Sequence, residues 1–235
     1  KFGLLFEYMV QNGYDYLATG HYARITECKG TREKVKEFFI QQPKDLSKDQ
    51  TYFLWQVARE KLEHILWPLG DVEKSWVRQR AHELGLPNAD KPDSMGVCMI
   101  GELNVRDFLK EKLGTNPGPV MWKGVSVGSH EGLWFYTIGS RGGFSINPHT
   151  QNESMPPLYV VGKDANSNTL VVGLREECYL DQFEITNSQI LKYEGVLRVR
   201  VRNLGELTPV KEINGNNISV EEPIFALAPG QSAVF

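Results

Sequence analysis

Cys98 has the clearest capacity for chemistry in this sequence, because of what surrounds it. It stands in Asp93-Ser94-Met95-Gly96-Val97-Cys98-Met99-Ile100-Gly101-Glu102, with a glycine on either side. Such flanks allow a tightly turned or mobile loop. A thiol on a loop of that kind can alternate between two partners, as a sulfur carrier must. Reactivity requires thiolate character, and Lys91 is the nearby residue that would favour it. A second reading stays open, since Val-Cys-Met-Ile is an apolar run in which an unpaired cysteine packs as a small hydrophobe. Cys28 lies in a charged loop, and Cys178 follows two glutamates that would raise its pKa; neither receives a role. The three cysteines form no CxxC pair, no zinc spacing and no even disulfide framework, which points to a reducing compartment.

Two further groups of residues could bind rather than react. Ala18-Thr19-Gly20-His21-Tyr22-Ala23-Arg24 follows a short apolar run that reads as a buried strand. Ligands of α/β sheets bind beyond the carboxyl ends of strands, where a glycine lets backbone approach a nucleotide. A plain turn glycine followed by a strand-end histidine explains the same residues. No second ligand stands near His21 at metal spacing, so no metal site is expected. Farther on, Leu197, Val199 and Val201 alternate with Arg198, Arg200 and Arg202. Alternation puts the three guanidinium groups on one strand face, roughly 7 Å apart, near the spacing of backbone phosphates. A solvated outer face paired with glutamates is the competing explanation.

These residues need elements to hold them. In the first half the apolar spacing is helical: over Lys1–Gly13, over Asp49–Glu63 with Asp49 as N-cap, over a helix opened by Asp71 and closed by Gly85, and over Val105–Leu113. Tyr14–Thr19 reads as a strand and Glu27–Glu37 as a loop or hairpin tip. From Pro117 the period becomes 2, with short strands that include Val120–Trp122, Trp134–Ile138, Leu158–Val161, Thr169–Val172 and Val196–Arg202. That regime indicates an antiparallel barrel or sandwich. The 235 residues carry 26 basic and 29 acidic side chains, a net charge of −3 that gives no overall case for nucleic acid. Lys192–Lys211 nevertheless holds five basic and two acidic residues, a local +3. No apolar run approaches a membrane span. The expectation is a soluble, intracellular protein of several parts, beginning inside a longer chain because it opens on Lys-Phe-Gly.

The Cys98 segment closely resembles the persulfide-cysteine motif of the tRNA-specific 2-thiouridylases. Further stretches resemble that family in the same order, among them Ala18–Arg24, Ser47-Lys48-Asp49-Gln50-Thr51-Tyr52-Phe53-Leu54, Pro68-Leu69-Gly70, Arg106-Asp107-Phe108-Leu109, Tyr136-Thr137-Ile138-Gly139 and Pro229–Phe235. The resemblance covers essentially the whole chain. It implies an α/β remnant of an ATP-pyrophosphatase domain over 1–66, a small, mainly helical central domain over 67–116 and a C-terminal antiparallel β-barrel over 117–235. The family's phosphate loop and its first catalytic cysteine would both lie upstream of Lys1.

The implied chemistry is sulfur insertion at the wobble uridine of certain tRNAs, driven by ATP with Mg2+. Cys98 would carry the sulfur as a persulfide and later form a disulfide with the upstream cysteine. Carried over by position, Gly20 contacts ATP, while Lys48, Asp49, Gln50, Arg202 and Asn203 contact tRNA. A sulfur-donor protein, either a persulfide carrier or a cysteine desulfurase system, is an expected partner; a membrane is not. Asn203 stands where the family usually has an aromatic residue, and Ser140 replaces a customary Gln. Met95, where bacterial members usually have Thr, resembles the mitochondrial branch and suggests the mitochondrial matrix. Read without ATP chemistry, the same sequence would be a non-catalytic RNA-binding β-barrel module; Cys98 and Gly20-His21 speak against that.

Overall fold

Phe6 and Met9, three residues apart, turn one face of a short helix, α1 (Leu4–Gln11), into the interior. Gly13, at φ 73°, ends it in the left-handed region that glycine adopts without a steric penalty. The computed structural model describes residues 1–29, 36–92, 104–148, 155–187 and 195–235. These pack as two units. The first holds Lys1–Pro92 together with Arg200–Glu206 and Val234; the second holds the described residues up to Val199, with Leu207–Ala233 and Phe235.

In the first unit, β1 (Leu17–Ala18) pairs in parallel with β4 (Ile65–Leu66). Between them in sequence lies an antiparallel hairpin, β2 (Arg24–Lys29) and β3 (Lys36–Gln41), in register from Arg24↔Gln41 to Lys29↔Lys36. The Glu27–Glu37 segment, read as a loop or hairpin tip, thus contributes both ends to a hairpin. The core gathers Phe6, Met9, Leu17, Ala23, Leu54, Leu62, Ile65 and Trp67. The helix expected over Asp49–Glu63 is instead two 3-10 turns, Thr51–Leu54 and Arg59–His64. Ala58, extended at ψ 134°, interrupts the run, and the turns still bury Leu54 and Leu62. Helix α2 (Lys74–Glu83) starts later than expected. Its first N–H is bonded by the Asp45 carboxylate at 3.0 Å, so Asp71 is not its cap. No residue of α2 is buried, and Trp76 is 54% exposed.

The second unit opens with α3 (Val105–Leu113), capped by Asn104, whose side-chain oxygen accepts the Arg106 and Asp107 N–H groups. Arg106 ties the helix down, pairing with Glu131 at 2.9 Å and lying 4.9 Å above the Phe135 ring. A five-stranded sheet follows: β5 (Gly118–Trp122), β6 (Val125–His130), β7 (Ser145–Ile146), β8 (Tyr159–Asp164) and β9 (Thr169–Gly173), in the order β7-β6-β5-β9-β8. Pairing is antiparallel except between β5 and β9, where Val120 lies beside Leu170 in parallel. The far edge is stitched to Gly139–Arg141 by Gly139 N–H to Val160 O (2.8 Å), Val160 N–H to Ser140 O (3.0 Å) and a bridge from Arg141 to Tyr159. Val120, Val127, Tyr136, Leu158, Val160, Leu170 and Val172 fill the interior. Gly118 has no alternative, because a Cβ there would sit 2.1 Å from the Asn168 carbonyl oxygen. The strand expected at Trp134–Ile138 is a 3-10 turn at Leu133–Phe135, and β6 and β7 were not read from the sequence.

A four-stranded antiparallel sheet completes the unit: β10 (Tyr179–Glu184), β11 (Arg198–Val199), β12 (Thr208–Asn214) and β13 (Asn217–Phe225), in the order β10-β13-β12-β11. The architecture is an α/β beginning, a β-barrel and a C-terminal antiparallel sheet, with few helices, as the resemblance implied.

Candidate functional site

The Gly20 turn sits at the carboxyl end of β1, where Thr19 N–H still bonds Leu66 O at 3.0 Å. An added Cβ on Gly20 would meet only Leu69 Cδ1, at 3.8 Å, an ordinary contact, so local packing would accept a side chain here. His21 packs against the rings of Phe2 and Trp67, which also meet each other, and its Nδ1 lies 2.8 Å from the Thr19 hydroxyl. Burial, aided by the charge of Lys1, lowers its pKa to about 4, so the ring is neutral at pH 7. It offers hydrogen bonding there, not positive charge. Tyr22 is then clasped by Gln50 from both sides: Tyr22 N–H donates to Gln50 Oε1 (3.0 Å), and Gln50 N–H donates to Tyr22 O (3.1 Å).

Gln50 belongs to the second candidate segment, a loop organised by two aspartates. Asp45 accepts from Ser47 N–H and Oγ as well as from Lys74 N–H, and these bonds, that of the Ser47 side chain first, hold its carboxyl below the usual range. Asp49 is only 1% exposed. Its Oδ1 accepts Thr51 N–H (2.9 Å) and Thr51 Oγ1 (2.7 Å); its Oδ2 accepts Gln42 Nε2 (2.8 Å) and Arg200 Nη1 (2.7 Å). Burial pushes this carboxyl up, but the four donors together outweigh burial and leave it below its ordinary pKa. Its surroundings leave Asp49 no surface to offer RNA. Lys48 and Gln50 beside it are half-buried and keep accessible surface.

The arginine stripe is corrected by this pair. Only Arg198–Val199 is strand, and Arg200 is buried against Asp49 with its side chain 11% exposed. Val199 and Val201 are buried as alternation required, but the opposite face is covered at Arg200 too. A buried guanidinium with a carboxylate partner has no phosphate to meet. Arg198 remains exposed, and Arg202 and Asn203 are half-buried. The buried Oδ1 of Asn203 has no hydrogen-bond partner in the structure. The Asp49–Arg200 pair was missed from sequence: its members are 151 residues apart, and Asp49 already had readings as an N-cap and as a tRNA contact.

Cys98, with Met95, Gly96 and Gly101, lies outside the described residues. Cys28 is exposed and Cys178 buried, and neither is in a disulfide. Burial, then the Glu177 charge, pushes the Cys178 thiol pKa up, which suits an inert packing role. No cluster of metal ligands occurs among the described residues, and no helix among them is long and apolar enough to cross a membrane.

With this geometry the chain was compared with known proteins. Residues 1–102 match a family model described as the tRNA methyl transferase HUP domain, and residues 106–174 match the tRNA methyl transferase PRC-barrel domain. A protein named tRNA-specific 2-thiouridylase MnmA from Lactococcus lactis subsp. cremoris (strain MG1363) is 38% identical over 248 residues, covering all of this chain and 64% of the relative. Proteins of the same name from Lysinibacillus sphaericus (strain C3-41) and Salmonella typhimurium (strain LT2) are 37% and 36% identical, with 63% and 66% of their lengths covered. The chain thus spans a little under two thirds of the relatives it matches. These relatives are bacterial and lend the mitochondrial expectation no support.

Proposed function

We infer function from family: the chain belongs to the tRNA-specific 2-thiouridylases, and we propose that it forms the greater part of an enzyme replacing the C2 oxygen of a wobble uridine in tRNA with sulfur. One observation carries most of this reading: relatives so named align along the entire chain, across the Gly20 turn, the Lys48–Gln50 loop, the Cys98 segment and Arg202–Asn203 alike. The matched models are described by methyl transfer instead. Cys98 favours thiolation, because a sulfur-bearing loop has no use in moving a methyl group.

The C2 oxygen of uracil is a poor leaving group. ATP, bound with Mg2+, supplies the adenylyl group that makes it a good one. Gly20 fits a contact to such a nucleotide, since neither its backbone angle nor its packing otherwise calls for a glycine. Neutral His21 beside it can donate or accept without disturbing the phosphate charge. Cys98 would hold a sulfane sulfur whose terminal atom attacks C2 as AMP departs. A second cysteine, expected upstream of Lys1, then attacks Cys98 Sγ; the S–S bond breaks, the new sulfur stays on C2 and a disulfide closes. Lys48, Gln50, Arg202 and Asn203 would meet the tRNA, while Asp49 holds the loop that presents two of them. By role, the chain divides at 1–66, 67–116 and 117–235 into nucleotide, sulfur-transfer and docking parts. The sulfur would come from a donor protein, in the cytoplasm of a bacterial cell.

The test is a thiolation assay on the full-length protein with ATP, a persulfide donor and an unmodified transcript carrying a wobble uridine. Retardation of the product in a mercury-containing gel, dependent on ATP, is the expected result. A methylated uridine, or no thiolated product, would refute the proposal.

A further inference from the structure

The residues proposed to meet tRNA come from two distant segments, Lys48–Gln50 and Arg202–Asn203, which the first unit packs together. What joins them is buried. Asp49 lies between Lys48 and Gln50, and its Oδ2 takes the Arg200 guanidinium at 2.7 Å, two residues before Arg202. Tyr52 Oη donates to Val201 O at 2.9 Å, the next residue along the chain. Val234 fixes the Arg200 backbone on both sides, through Arg200 N–H to Val234 O (2.8 Å) and Val234 N–H to Arg200 O (2.9 Å). On the other flank, Gln50 clasps Tyr22, beside Gly20. A continuous line of fixed contacts therefore runs from the Gly20 turn through Gln50 and Asp49 to Arg200 and Arg202.

Stability alone does not call for this arrangement, because a buried ion pair can often be replaced by apolar groups without loss. Register is what the pair specifies. A slip of one residue in this alternating stretch would set a valine against the Asp49 carboxylate and turn Arg202 inward. We propose that Arg200 is a positioning residue for tRNA docking: its buried pair with Asp49 holds Arg202 and Asn203 in register with Lys48 and Gln50, so that one RNA backbone meets both segments at once. The inference rests on the tRNA reading above. It assigns the Asp49–Arg200 pair a part in that reading without any contact of its own to RNA, since phosphate contacts fix register only if the groups making them are held at a set separation.

The experiment is a double-mutant cycle on the full-length protein. Its backgrounds are the native pair and the neutral pair Asp49→Asn/Arg200→Met, each with and without Arg202→Ala. Binding of an unmodified transcript with a wobble uridine is measured across a salt series. In the native background Arg202→Ala weakens binding about tenfold, as expected for a lost charge-assisted hydrogen bond, and lowers the salt slope by about one. The neutral pair alone produces a similar weakening and slope change, although neither of its members meets a phosphate. Adding Arg202→Ala to the neutral pair then changes affinity less than about twofold, the non-additivity expected of coupled residues. Additive losses, or a neutral pair with the native salt slope, overturn the positioning role while leaving the docking reading in place. An Arg202→Ala variant that binds normally overturns the docking reading itself, and the inference with it. Should the neutral pair fail to fold, Arg200→Gln, which removes the ion pair while Asp49 keeps its Thr51 and Gln42 donors, carries the same cycle.

Discussion

Asp49→Ala puts the central pair to a physical test that needs no substrate. The substitution strips four donors of their acceptor: Thr51 N–H and Oγ1, Gln42 Nε2 and Arg200 Nη1. Thr51 and Gln42 are only half-buried and can turn toward water. Arg200 cannot, because its side chain is 11% exposed and its Nε already lacks a partner. Removing one member of a buried ion pair costs about 3–5 kcal/mol, most of it the penalty of a charge left unpaired. At roughly 2–4 °C per kcal/mol for a chain of this size, the first thermal transition should fall by about 6–20 °C. The pH dependence carries a sign. Asp49 is depressed below the ordinary aspartate value of 3.8, so the folded state binds its proton less readily than the unfolded chain. Its stabilisation is therefore present above that value and lost as pH falls through the folded pKa. The gap between wild type and Asp49→Ala should be full at pH 7 and narrow below about pH 4. Urea melts at both pH values measure it. A loss under about 1 kcal/mol at pH 7, or a gap that widens in acid, would refute the account of this pair.

Three further outcomes follow from the same residues. Cys98→Ser in the full-length protein should abolish thiolation yet leave ATP-dependent adenylation of the tRNA measurable, whereas Cys28→Ser and Cys178→Ser keep activity; normal thiolation by the Cys98 variant would remove its assigned role. Lys48→Ala should weaken tRNA binding and lower its salt slope by about one, with turnover at saturating tRNA unchanged; an unaltered slope would mean that Lys48 meets no phosphate. His21, held at about 4, refuses a proton that the unfolded chain accepts near 6.5, so its stabilisation is present above 6.5 and is lost as pH falls toward 4. Allowing for solvent screening of a part-buried ring, the effect is on the order of 1 kcal/mol, and His21→Gln should flatten the melting profile between those pH values.

Local pattern carried a good part of the fold. Gly13 stopped α1 as its position implied, and the period-2 runs at Val120, Val160, Leu170 and Val172 are strands of the five-stranded sheet. Other features failed for identifiable reasons. Leu54, Ala58 and Leu62 recur at helical spacing, yet two short turns bury Leu54 and Leu62 equally well, so spacing could not distinguish the cases. Ser126, Gly128 and Ser129 hid β6, whose strand character comes from its neighbours rather than from its own apolar content. The parallel β5–β9 pairing joins Val120 to Leu170, and no local rule reaches that far. At the candidate site, Gly20 and the Lys48–Gln50 loop were legible as segments. The division of labour within Val196–Arg202 was not, because alternation states which side chains share a face but not what covers it.

The separation of Asp49 from Arg200 also bears on the order in which the molecule can be completed. A ribosome adding about 5–20 residues per second needs roughly 8–30 s to travel the 151 residues from Asp49 to Arg200. During that interval the emerging N-terminal unit has its hairpin, its parallel strand pair and most of its apolar interior, but a carboxylate at their centre has no cation. The nascent unit is then stable chiefly with that carboxyl protonated or hydrated. Closure of the first unit must therefore wait for Arg200, and then for Val234. The earlier-made residues of this unit thus stay unfinished until its later ones arrive, and a nascent-chain chaperone would find its longest opportunity there.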